Sequence, residues 1–175
     1  VGSQILSTNV RAGNLKTDLN NEIDSRIAAA TGPISEQIKL FASADDNTFT
    51  YVRNTTGYLS NLDWTGVSVH RDDAASYNTK FGISLITPTD AINVSHAHPA
   101  VGMHFRFVDA RNVTYTATVA AQVQIGDLAV IHLTWLGRTP TTLKIYKTFP
   151  ANFQNEAPGQ SLTGFPVVGP DQART

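Results

Sequence analysis

The sequence predicts a mainly β protein, a single antiparallel β-barrel preceded by an N-terminal helical extension. Three observations lead there. An apolar residue recurs every fourth position at Leu15, Leu19, Ile23 and Ile27, which is helical spacing. From Asp45 onward the pattern changes to period two, in short segments bounded by turn residues. Finally, 175 residues with 41% apolar and 15% charged side chains can bury one good core plus an appendage, and not two full domains.

In chain order, residues 14–41 read as helical. Asn14 can cap the start, and Glu22 and Arg26 are placed for an i,i+4 pair. Thr31-Gly32-Pro33 interrupts the helix, because glycine suits a C-terminal cap and proline cannot continue the hydrogen-bond ladder. A second short helix is expected after it, with Ile34, Ile38 and Phe41 on one side. Residues 1–44 then form either a packing extension or an oligomerisation stem, and the lack of a strict heptad argues against a long coiled coil.

Residues 45–148 are the expected barrel domain. The clearest pattern runs from Val113 to Ile125, one long half-buried strand or two joined at a bend, with Val113, Tyr115, Ala117, Val119, Ala121, Val123 and Ile125 alternating with mostly polar partners. Met103, Phe105 and Phe107 alternate in the same way, and Asn112 suits the turn that joins the two runs. Further strands are expected at 49–52, 67–70, 82–87, 128–133, 143–147 and 165–168, about eight in all. Residues 149–175, with Pro150, Pro158, Pro166 and Pro170, read as a strap or linker.

Composition excludes several functions. A formal charge of -1 and a pI near 6.6 give no basic footprint for a phosphate backbone, so nucleic acid is not an expected partner. No stretch approaches the roughly 20 apolar residues of a membrane span. The absence of cysteine removes disulfides, thiolate catalysis and cysteine metal sites. The chain begins at Val1 without a leader pattern, so either a processed terminus or, preferably, part of a longer product is expected. Sequons at Asn54, Asn93 and Asn112 would matter only in a eukaryotic secretory route.

Ile86-Thr87-Pro88, Val94-Ser95-His96, Gly102 leading into Phe105-Arg106-Phe107-Val108, and Asp127-Leu128-Ala129-Val130-Ile131-His132-Leu133 stand in this order along the chain. Together they resemble the first barrel of trypsin-like serine peptidases, in a divergent form associated with marine bacteria and phage-related genes. The likeness covers roughly residues 49–172 and extends to Tyr146-Lys147 and Phe149-Pro150-Ala151-Asn152. In that family a strand leads into a small-residue turn ending in the general-base histidine, and the aspartate opens an apolar strand. The resemblance therefore implies His96 as base and Asp127 as its orienter, 31 residues apart. Val94 and Ser95 replace the usual pair of small residues before the histidine. A Gly-Asp-Ser-Gly nucleophile turn is missing, and Gly159-Gln160-Ser161 is a poor imitation.

Other chemistry weighs less. His96 and His98 would share a strand face, and His104 or Asp109 could complete a metal set, but Pro99 follows at once and no metal or other cofactor is expected. Asp45-Asp46 and Asp72-Asp73 read as solvated turns, since no Asp-x-Asp-x-Asp-Gly loop surrounds them. Tyr51, Tyr58, Trp64 and Tyr77 read as core packing rather than a carbohydrate platform. His70 and His132 have no recognisable partners.

Two functions follow. The first is a structural or attachment protein of a phage-like virion, virion-borne or extracellular and non-catalytic as it stands. It would assemble with copies of itself or other virion proteins through the N-terminal helix, with a cell-surface receptor as a further partner. The second is the N-terminal half of a trypsin-like endopeptidase acting on protein, with its serine beyond Thr175.

Overall fold

The computed structural model describes residues 15–37, 39–69, 82–95 and 99–146, and of residues 15–20 and 34 the backbone alone. Two helices, α1 (Leu15–Ala29) and α2 (Ile34–Gln37), precede seven strands. These are β1 (Phe41–Asp45), β2 (Thr50–Arg53), β3 (Ser84–Leu85), β4 (Asp90–Val94), β5 (His104–Val108), β6 (Thr114–Ile125) and β7 (Leu128–Trp135). β1 and β2 form a hairpin. The other five build one antiparallel sheet in the order β3-β4-β7-β6-β5.

The fold is mainly β, and the five-stranded sheet curls into a half-barrel rather than the closed single barrel that the sequence predicts. Strands β5, β6 and β7 are consecutive neighbours, and β4 returns beside β7, a Greek-key arrangement. Segment 66–69 spans the two edges of the curl. Ser68 N donates to Ile83 O and Leu85 N to Gly66 O on the β3 side, and Val69 N donates to Arg106 O on the β5 side.

Alternation sets the core. On β7, Ala129, Ile131, Leu133 and Trp135 point inward and are buried, while His132 and Thr134 point out. Phe105 and Phe107 from β5, Ala117 and Val119 from β6, Ala91 from β4, Leu85 from β3, Ile83 and Leu143 complete this cluster. Phe107 packs against Trp135 with ring centroids 5.3 Å apart. A second cluster, Leu40, Phe41, Tyr51, Leu59, Val69 and Val108, joins the hairpin to the sheet.

Several expected elements differ. Helix α1 ends at Ala29, and Gly32 adopts a φ of 98° that only glycine takes readily. Phe41 lies on a strand, not on a second helix, so the β region begins four residues before Asp45. The face of α1 that packs inward carries Arg26, at 8% exposure, whereas Ile27 is 51% exposed. Tyr51 is core as expected, and Trp64 is half-buried with its indole N–H donating to Leu59 O. Residues 143–146 form no strand, although Leu143 is buried and Tyr146 N donates to Leu85 O. The expected strand at 165–168, Tyr77, Asp72-Asp73 and the strap lie outside the described residues.

The 12-residue β6 is not one regular strand. Val119 pairs with Leu133 and Ala121 with His132, so Ala120 is an extra residue, a β-bulge. Before it, Ala117 and Val119 are buried; beyond it, residues 121–125 are exposed on both faces, against the expected half-buried run.

Candidate functional site

The two triad positions belong to the β4–β7 pair. Val94, the last residue of β4, pairs with Leu128, the first of β7, and Ser95 N donates to Asp127 O at 2.7 Å. Asp127 is thus bonded through its backbone to the residue that immediately precedes His96 in the chain. His96, Ala97 and His98 lie outside the described residues, as does Ser161.

Asp127 is held by turn chemistry. Ile125 pairs with Leu128, leaving Gly126 and Asp127 as a two-residue hairpin loop. Gly126 has a φ of 60°, and Asp127 is not among the residues with positive φ, the pattern of a type II′ turn. The aspartate is therefore a turn residue that leads directly into an apolar strand. The residue is exposed and takes part in a further interaction.

A second carboxylate–imidazole pair sits further along the same two strands. Asp90 is opposite His132, and His132 Nδ1 lies 2.8 Å from Asp90 Oδ1. An ionised carboxylate only accepts, so Nδ1 carries the proton that is shared with it. The Thr87 hydroxyl donates to Asp90 Oδ2 at 2.6 Å. That hydrogen bond, and after it the one from His132, hold the Asp90 carboxyl below its ordinary value. The sequence gives His132 no partner because register, which brings it opposite Asp90, is not written in any local pattern. The pair lies on the outward sheet face, with the imidazole about half exposed.

That face carries more than this pair. Val94, Leu128 and Ile125 form one row across β4, β7 and β6, and Ile92, Val130 and Val123 form the next. Val123 and Ile125 are more than 60% exposed, Val94 and Leu128 each 42%, and Ile92 and Val130 are half-buried. Six apolar side chains thus occupy the face opposite the core, adjoining Ser95 and Asp127.

The remaining polar candidates are structural. Asp109 is fully buried and accepts from the amides of Arg111 and Val113 and the hydroxyl of Thr142, so its carboxylate closes the β5–β6 turn. Burial alone would raise its carboxyl; these donors and the Arg111 guanidinium outweigh it and hold the group below the ordinary range. Asp45 binds the amide and hydroxyl of Thr48 and the amide of Asn47, as expected of a solvated turn. Among the described residues no cluster of three or more metal-ligating side chains occurs, and no helix is long and apolar enough to cross a membrane. The sequon asparagines are drawn into the fold: Asn54 donates to Glu36 O and Lys39 O, Asn112 accepts from Arg53 N, and Asn93 Nδ2 is enclosed.

Compared with known proteins, the chain matches no family model, and neither a curated sequence nor a solved structure matches it significantly.

Proposed function

We propose that the chain is a structural or attachment module of a phage-like virion, built on a trypsin-like β-barrel and non-catalytic as it stands. The observation that carries this reading is the apolar face of β4, β7 and β6. Leu128-Ala129-Val130-Ile131 is apolar on both faces of its strand, the pattern of a strand covered on both sides. A contiguous exposed apolar patch on a folded domain marks a surface made for another protein. The cysteine-free, weakly charged composition is in keeping with a virion component.

Sedimentation velocity over a concentration series tests the reading. The wild-type chain should self-associate, and Ile125→Asp and Val123→Asp should shift it to monomer. Both side chains are exposed, so their thermal stability should stay within about 1 kcal/mol of wild type. A wild type that is monomeric throughout sinks the reading.

A second reading, the base-and-orienter half of a trypsin-like peptidase, is favoured by one observation: Asp127 is bonded to Ser95 directly before its apolar strand. In that reading the Asp127 carboxylate stabilises the His96 imidazolium. Asp127→Asn should then lower the His96 pKa, followed by NMR. An unchanged titration removes the orienting role.

A further inference from the structure

The C-terminal turn of α1 and the loop at 55–61 flank an open cleft of about 230 Å³ whose walls are mostly polar. Arg26 lines it. This residue is 92% buried, counted as the complement of its 8% exposure, and its Nη2 meets Glu22 Oε1 at 2.6 Å. Its Nε and Nη1 are enclosed without any hydrogen-bond partner. A buried donor left unpaired costs about 1–3 kcal/mol, and more on a charged group, so the free protein carries a penalty that an acceptor would relieve.

The rest of the wall favours a particular kind of acceptor. Thr55, Ser60 and Asn61 line the cleft, and their side chains bond to no described residue. Tyr58 offers a half-buried ring beside them. Ala30 N donates to Arg26 O and Ile27 O, which leaves the Ala28 and Ala29 carbonyls at the end of α1 without an intrahelical donor. Hydroxyls of a ligand can therefore both donate and accept here, while an anionic acceptor makes the stronger, charge-assisted bond to the guanidinium. Glu22 and the negative end of the α1 dipole disfavour a doubly charged group, which selects a carboxylate over a phosphate.

We propose that this cleft binds a carboxylate-bearing sugar, with the carboxylate on Arg26 and the hydroxyls on the 55–61 loop. Nε and Nη1 are enclosed as the cleft stands, so the ligand carboxylate reaches them only with a rotation of the Arg26 side chain out of its enclosure. The site is separate from the apolar face and does not depend on it.

The test is an NMR titration of the full chain with sodium glucuronate, with glucose, inorganic phosphate and sodium chloride as comparison arms. Glucuronate should shift the amide signals of Gly57 and Asn61, and glucose should bind at least about tenfold more weakly, the size of one lost charged hydrogen bond. Arg26→Gln should lose the response by a similar factor, and Asn61→Ala should weaken it with the charge intact. Should Arg26→Gln fail to fold, Asn61→Ala and the glucose arm still decide. No shift at these amides, or glucose binding as well as glucuronate, overturns the proposal. Tighter binding of phosphate overturns its assignment to a carboxylate.

Discussion

Asp109 carries the clearest pH dependence in the fold. Its carboxyl is held below the ordinary value in the native state, so its stabilising effect is present above pH 3.8 and is lost as pH falls through the lowered folded value. Asp109→Asn keeps one acceptor for the turn amides but loses the carboxylate that takes Thr142 and Arg111. Thermal melts should show the variant less stable by about 1–3 kcal/mol at pH 7. The gap should close as pH falls towards 2; a constant gap would show that the charge contributes nothing. Such roles are opaque in a sequence. Asp109 reads there as a metal candidate because only folding reveals that the donors of its own turn already surround it.

Helices and strands were legible where periodicity runs long and obscure where it does not. The β5–β6 hairpin follows from alternation and a turn asparagine, and Asn112 takes a φ of 65° there. Strand β4 is five residues with Asp90 at its start and Asn93 within it, too short for its period to stand out. Strand β1 hides behind an apparent continuation of the helix through Phe41. That misreading has a measurable consequence. Leu40 and Phe41 are 6% and 4% exposed in the second cluster, so removing residues 1–32 should leave the β region folded, whereas removing 1–41 should destabilise it. Losing Phe41 alone amounts to about 3–5 kcal/mol. Denaturant unfolding of the two truncations checks this, and equal stabilities would mean the hairpin does not depend on Phe41.

At the scale of the whole molecule, the fold class was legible and the closure was not. Alternation says which residues face a core, but strand order comes from long-range pairings such as Asp90 with His132, which a single sequence does not encode. The candidate site shows the same split. Asp127 could be placed by its glycine and the apolar strand after it, whereas the Asp90–His132 pair and the buried Arg26 could not. Of the apolar row of α1, Ile27 is exposed and Ile23 half-buried while Arg26 is buried, because four-residue spacing defines a stripe without saying what it faces.

The bulge at Ala120 has a consequence for how the chain can change length. Because Val119 pairs with Leu133 and Ala121 with His132, loss of Ala120 would leave every remaining β6–β7 partner in place. Loss of any other β6 residue N-terminal to Val119 would turn Phe105-facing positions outward. Removing the bulge would therefore change the twist of the β6–β7 hairpin beyond it while the pairing of the core positions is kept.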